Sequence, residues 1–273
     1  TMTEEAIPDY VYEQYLSGMG LGAYILYNRM PAGADPLGLE NILGFCSGFL
    51  TGTGSLFSGR WTLVGKSPLT GCWGEANCGG TFSPAIKHCG YDAIFFKGIS
   101  PKPVYLYVKN GKATLKDAAD IWGHDAVETE EILKQQYGQK AAVAVIGPAG
   151  EKVSLISGVC SDKGRIAARS GLGAVMGIKK LKALVLDGVQ RIGASDPASM
   201  KRLSRHCAKW VRRPIPLTSG SVFARVGSFL RVTPIVFPQD GLLYANILKK
   251  WGTGGMNQAS AGAGASLETD VTV

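Results

Sequence analysis

Gly59-Arg-Trp-Thr-Leu-Val-Gly-Lys-Ser-Pro-Leu-Thr-Gly-Cys-Trp-Gly-Glu-Ala-Asn-Cys-Gly-Gly80 is the stretch around which the rest of the chain can be read. Short apolar runs alternate with glycines, and three polar groups stand out: Arg60, Lys66-Ser67 and Asn77. Glycines let a backbone approach a ligand closely and expose its N–H groups. Arg60 and Lys66 offer positive charge to an anion, and Asn77 offers a neutral carbonyl oxygen of the kind that suits a hard cation. A second glycine-rich basic stretch, Asp162-Lys-Gly-Arg-Ile-Ala-Ala-Arg-Ser-Gly-Leu-Gly-Ala-Val-Met-Gly177, reads as the other half of a grip on a phosphate-bearing cofactor.

Composition frames this reading. With 273 residues, 45% hydrophobic and 18% charged, the chain can bury a sizeable core and is not disordered in bulk. Its 37 glycines without collagen periodicity indicate many turns and close backbone approaches. The net charge of +8 fits an anionic cofactor or a basic surface. No basic–aromatic run or nucleic-acid motif accompanies it, and no apolar run reaches membrane-spanning length. The six cysteines lack C-x-x-C spacing, so they argue no zinc or iron–sulfur site. Without a visible signal peptide they read as reduced thiols of a cytoplasmic protein. The chain begins at Thr1 without Met and reads as a fragment or short form.

Outward from the central stretch, helices are expected over 8–17, 21–29 and 81–90, the last with Ser83 as N-cap and Pro84 in its first turn. A helix over 125–137 and one from Ser195 to about Trp210 follow, and another at 242–251. In the first helix Tyr12, Tyr15 and Leu16 form the apolar face. Strands are expected over 41–50, 60–65, 91–97, 103–109, 113–116, 141–146, 153–160 and 181–186, with Asn110-Gly111 as a hairpin turn.

Two motifs are decoys. Gly54 to Trp61 has P-loop glycine spacing without the Lys-Ser/Thr pair that phosphate binding needs. Gly171-Leu-Gly-Ala-Val-Met-Gly177 resembles a dinucleotide fingerprint with its third glycine one place late and little room for a helix before the next strand. His88, His124 and His206 are far apart, Cys72 and Cys78 read as small packing thiols, and Asp92 and Asp162 read as partners of nearby basic residues. No catalytic residue is assigned.

Several ordered segments resemble the N-terminal domain of the tungsten-containing aldehyde:ferredoxin oxidoreductase family, over roughly 8–190. They are Tyr15-Leu-Ser-Gly-Met-Gly-Leu-Gly-Ala-Tyr, Gly59-Arg60 with Lys66-Ser-Pro-Leu-Thr-Gly71, and Ala76-Asn-Cys-Gly-Gly80. Further on come Gly90-Tyr-Asp-Ala-Ile, Pro103-Val-Tyr-Leu-Tyr, Ile146-Gly-Pro-Ala-Gly-Glu151, Arg165 to Gly177, and Lys180-Leu-Lys-Ala. The resemblance implies an α+β fold: two β-sheets enclosing a pterin cofactor site with flanking helices over 1–193, then the start of an α-helical domain over 194–273. It implies a tungsten ion, or molybdenum, held by two pterins whose phosphates are bridged by Mg2+.

By the same resemblance Arg60 lies along the pterin. Asn77, through its side chain, and Ile166, through its backbone carbonyl, bind the magnesium. Gly79, Arg165 and Ala168 line the phosphates. The implied activity is oxidation of aldehydes to carboxylic acids, with electrons passing through a 4Fe-4S cluster to ferredoxin or an electron-transfer iron–sulfur subunit. The cluster's cysteine motif and the acid–base residues belong to later domains and are not in this sequence. The alternatives are a benzoyl-CoA reductase-like subunit, or a structural subunit without metal; a homo-oligomer fits any of them. Two departures stand out: Met19 where the family usually carries arginine, and Ala168 in place of a glycine.

Overall fold

A computed structural model describes residues 1–212; the expected helix at 242–251 and the tail beyond it lie outside them. The chain separates into two compact units, Thr1–Pro197 and Ala198–Val273.

In the first unit, helices α1 (Asp9–Tyr15) and α2 (Met19–Arg29) precede strands β1 (Leu43–Ser47), β2 (Trp61–Lys66) and β3 (Trp73–Cys78). Helix α3 (Phe82–His88), strand β4 (Ala93–Phe96) and the hairpin β5 (Val104–Lys109) and β6 (Lys112–Asp117) follow. The remainder is α4 (Ala126–Tyr137), β7 (Ala142–Val145), α5 (Pro148–Glu151), β8 (Val159–Ser161), β9 (Arg165–Ala167), α6 (Leu172–Ile178) and β10 (Leu181–Asp187). Helix α7 (Pro197–Arg212) leads into the second unit and carries Lys201, Arg202, Arg205 and Lys209 on an exposed basic face.

The strands form a four-stranded antiparallel sheet, β3-β2-β1-β4, and a six-stranded mixed sheet, β6-β5-β10-β7-β8-β9. Among the described strands only β10 and β5 run parallel. The main core lies between the sheets. Leu43, Phe45, Trp61 and Leu63 of the first meet Leu106, Ala144, Val159 and Leu184 of the second, with Phe82 and Ile86 of α3 and Leu172, Val175 and Met176 of α6 among them. The outer face of the first sheet packs under α1 and α2 through Leu21, Ile25, Leu26 and Val64. The outer face of the second packs under α4 through Leu133, Val143 and Val185. Four layers result, which is the two-sheet α+β architecture expected.

Local chemistry explains most elements. Asp125 caps α4, its Oδ1 accepting from the Val127 and Glu128 amides at 2.7 and 3.0 Å; such a cap is worth about 1 kcal/mol. Asn110 and Gly111, both at positive φ, close the β5–β6 hairpin. Differences from expectation have physical causes. In α1 the buried residue is Val11, while Tyr15 and Leu16 are exposed. Thr81, not Ser83, precedes the first turn of α3, and Ser83 is buried. The expected strand over 153–160 shrinks to β8, because Val153 turns the chain at φ 58° and Ser157 Oγ ties back to the Ser154 carbonyl at 2.6 Å.

Helix α6 occupies the segment that resembled a dinucleotide fingerprint. Its glycines have a packing reason: a Cβ at Gly173 would lie 2.7 Å from the Gly158 carbonyl oxygen, and one at Gly177 would collide with the backbone of Gly150. They let α6 lie directly on α5 and on the strand entering β8.

Candidate functional site

Strand β3 is an edge of the first sheet and β9 an edge of the second, and these two edges lie side by side. Side chains fasten them at both ends. At one end Ser170 Oγ donates to the Glu75 carbonyl at 3.1 Å and accepts from the Glu75 amide at 3.2 Å, while Ser67 Oγ donates to the Ser170 carbonyl at 2.9 Å. At the other end Asp162 accepts from Thr81 twice, from its amide at 2.7 Å and its hydroxyl at 2.5 Å. Cys78 Sγ lies 3.9 Å from Ser161 Oγ in between.

The alternation of β3 sets what this junction presents. Gly74, Ala76 and Cys78 face the core as small residues, and Trp73 and Asn77 stand exposed on the other face. Asn77 sits opposite Thr62 in β2. One residue before β2, Arg60 reaches it: Nε donates to Asn77 Oδ1 at 2.8 Å, and Nη2 donates to the Asn77 carbonyl at 3.2 Å and also to Oδ1. The Arg60 backbone is itself pinned from below, its carbonyl accepting from buried Ser83 Oγ at 2.9 Å.

Arg165 arrives from the opposite sheet. A Cβ placed on Gly79 would lie 3.7 Å from Nη1 of Arg60 and 3.7 Å from Nη1 of Arg165, so the two guanidinium groups face one another across a bare backbone. Both charges register on Cys78: burial pushes its thiol up, against the Ser161 hydrogen bond and the two arginines, which pull it down. Arg165 has no hydrogen-bond partner among the described residues, so its five N–H donors remain available. Ile166 follows it, 47% exposed, and Ala168 is exposed just past buried Ala167.

The residues singled out in the sequence therefore divide. Arg60, Asn77, Gly79 and Arg165 converge, with Ile166 and Ala168 on the same edge strand and its exit. Lys66 and Ser67 do not join them. Lys66 Nζ donates to the Ala34 carbonyl at 2.5 Å, and Ser67 Oγ accepts from the amides of Leu69 and Thr70. Asp162, read as the partner of a basic residue, is held by Thr81 instead. Asp92 does pair with Lys87. All six cysteines are free thiols. Among the described residues no cluster of three or more His, Cys, Asp or Glu could hold a metal ion. Among the described residues no helix is long and apolar enough to cross a membrane. A separate open hollow of about 370 Å³ at the far end of α3 is lined by Glu4, His88, Tyr91 and Gln190. Its polar groups satisfy one another: His88 Nδ1 lies 2.7 Å from the Gln190 carbonyl, and Tyr91 donates to the Gly111 carbonyl at 2.6 Å.

Two guanidinium groups, bare glycine backbone and a carboxamide oxygen suit a phosphate-bearing ligand and an associated hard cation. Comparison with known proteins points the same way. Residues 1–188 match the family described as aldehyde ferredoxin oxidoreductase, N-terminal domain. The tungsten-containing aldehyde ferredoxin oxidoreductase of Thermococcus kodakarensis is 43% identical over 185 residues, 67% of this chain and 31% of that protein. Its counterpart in Pyrococcus horikoshii is 37% identical over 223 residues, 81% of this chain and 37% of that protein. A solved structure described as the active site complex BamBC of benzoyl coenzyme A reductase with 1,5-dienoyl-CoA superposes with a TM-score of 0.74 at 34% identity. The match covers 78% of this chain and 34% of that one. The chain thus spans about a third of the length of the relatives it matches. With the family match covering both sheets and every residue of the β3–β9 junction, the chain belongs to the aldehyde ferredoxin oxidoreductase family, over that family's N-terminal domain.

Proposed function

We propose that this chain is the tungstopterin-binding part of an oxidoreductase that oxidises aldehydes to carboxylic acids, with ferredoxin as electron acceptor. The observation that carries the reading is the pair of exposed arginines, Arg60 and Arg165, meeting over Gly79 from two different sheets. Curated relatives named as tungsten-containing support the metal.

The donor set fits such a cofactor. Arg165 gives paired N–H donors to phosphate oxygens, and the side-chain-free backbone at Gly79 lets them approach. Arg60 orients the Asn77 carboxamide by two hydrogen bonds, so that Oδ1 is fixed in place. A magnesium ion accompanying the phosphates would be held by Oδ1 and the Ile166 carbonyl as neutral oxygen ligands. Because the Arg60 N–H groups already use Oδ1, a cation there requires the guanidinium to yield at least one of those bonds. Ala168 lines the same edge, where its methyl group narrows the approach to backbone relative to glycine. When bound, the metal–pterin group supplies the two-electron chemistry; this chain binds and orients it.

A second reading is favoured by the BamBC structure: the same cradle in a subunit that reduces an aromatic thioester such as benzoyl-CoA. Metal and pterin analysis of the protein from its native host tests the shared part, with about two pterins per tungsten expected. An aldehyde-dependent viologen assay set against a benzoyl-CoA assay separates the two activities. Protein that carries neither tungsten nor pterin would leave a structural role.

A further inference from the structure

The two halves of the cradle come from loops more than eighty residues apart, and at the arginine end a carboxylate bridges them. Asp162 Oδ2 accepts the Thr81 amide at 2.7 Å, and Oδ1 accepts the Thr81 hydroxyl at 2.5 Å. Thr81 directly follows Gly79-Gly80, and Asp162 opens the turn that delivers Arg165. Both loops are held in backbone conformations that need a reason. Gly80 sits at φ 112°, and a Cβ there would collide with Asp162 and lie 2.8 Å from Arg165 Cδ. Asp162 and Lys163 stand at φ 47° and 55°, a region unfavourable to a non-glycine residue that persists only when its surroundings impose it. The Lys163 amide donates to Glu130 Oε2 at 2.8 Å, which anchors the turn to α4.

We propose that Asp162 is a positioning residue: it grips both the amide and the hydroxyl of Thr81, and thereby fixes the distance between the Gly79-Gly80 backbone and the Arg165 guanidinium. The ligand need not touch Asp162. Each of its carboxylate oxygens is engaged by Thr81, and its effect passes through the separation of the two loops. The Ser170–Glu75 fastening lies further along the strands and the Cys78–Ser161 contact is a long 3.9 Å, so among the described residues the Asp162–Thr81 bridge is the closest side-chain tie at the arginine end. The inference rests on the cofactor reading above.

The test uses holoprotein from the native host, in four forms. Asp162→Ala removes both acceptors. Thr81→Val keeps the shape and removes the hydroxyl. Asp162→Asn keeps one oxygen for the amide and offers an N–H to the hydroxyl, so it restores the bridge without the charge. Asp117→Ala, a surface pair with Lys102, serves as a control. Tungsten and pterin per chain are expected to fall at least tenfold in Asp162→Ala and several-fold in Thr81→Val. They should stay within about threefold of wild type in Asp162→Asn and be unchanged in the control. Full loading of Asp162→Ala overturns the proposal, as does an Asp162→Asn variant that loads no better than Asp162→Ala, which would assign the effect to charge.

If wild-type protein carries no tungsten and no pterin, the cofactor reading fails and the bridge is judged by hydrogen exchange. In Asp162→Ala, amides of 78–82 and of 162–166 should then open together, at least tenfold faster. Faster exchange confined to Thr81 would show a local cap and no spacing role.

Discussion

At the β3–β9 junction Arg60 and Arg165 are exposed, and Arg165 has no acceptor among the described residues. At the corner between α6 and β10 two lysines are almost wholly buried instead, Lys179 at 4% exposure and Lys182 at 0%. Lys179 Nζ donates to the carbonyls of Asn41 at 2.6 Å and Gly98 at 3.0 Å, tying the second sheet to segments flanking the first. Lys182 Nζ donates to the His124 carbonyl at 2.8 Å and pairs with buried Glu151, which also accepts the Gly123 amide. Both corners join elements distant in the chain, and both use cations. A cation saturated by the protein's own oxygens is holding the fold; one left with unused donors beside bare backbone is available to something else. That distinction separates candidate ligand groups from structural ones more sharply than the net charge of +8 does.

The largest effect should come from Glu151→Ala. It leaves the Lys182 ammonium buried without its counter-charge, a loss of about 3–5 kcal/mol in such pairs. Urea unfolding measures it, and a loss below about 1 kcal/mol would mean the corner is far less organised than its hydrogen bonds indicate. Lys179→Met comes next. The stem is replaced at similar volume and two carbonyls, that of buried Asn41 and that of half-buried Gly98, lose their donor, at a cost of about 1–3 kcal/mol.

A pH series sharpens the same corner. Burial holds Lys179 down to about 8 from its ordinary value near 10.5. Between those values the unfolded chain carries more protons at this site than the folded one, so stability from Lys179 rises with pH across that window and is flat below it. The slope cannot exceed about 1.4 kcal/mol per pH unit. The difference in unfolding midpoint between wild type and Lys179→Met should therefore widen from pH 8 towards 10; a difference that narrows would reverse the sign and exclude a depressed lysine.

Much of this was legible from residues alone where periodicity or turn chemistry is strong. The helix over 125–137, the Asn110-Gly111 hairpin and the apolar strand at 181–186 needed nothing else. Strand β3 escaped because its inward positions, Gly74, Ala76 and Cys78, are too small to read as a hydrophobic alternation, although the two-residue period is there. Helix α6 escaped for the opposite reason: six of its seven residues, Leu172 to Gly177, are buried, so no polar face marks a 3.6-residue repeat. At the site, the arginines and Asn77 could be picked out by type, whereas Thr81 and Ser170 carry no signal in sequence, and Ser83 and Asp162 read as a helix cap and an ion-pair partner. Their importance lies in contacts across 23 to 95 positions, which only the folded chain brings together.

The smallest effect on stability is the one that bears most on function. Arg165 is exposed and bonded to no described residue, so Arg165→Gln should shift stability by less than about 0.5 kcal/mol, which for a chain of this size is a melting shift under about 2 °C. The same change removes the charge and the guanidinium fork that face Arg60 over Gly79, so tungsten and pterin content should fall by tenfold or more. The two readouts have to part company. A variant that melts several degrees lower would place Arg165 with Lys179 and Lys182 as a cation consumed by the fold. One that melts and loads like wild type would remove it from the cradle. Unaltered melting with lost loading is the combination expected of a positive charge that the protein places but does not itself neutralise.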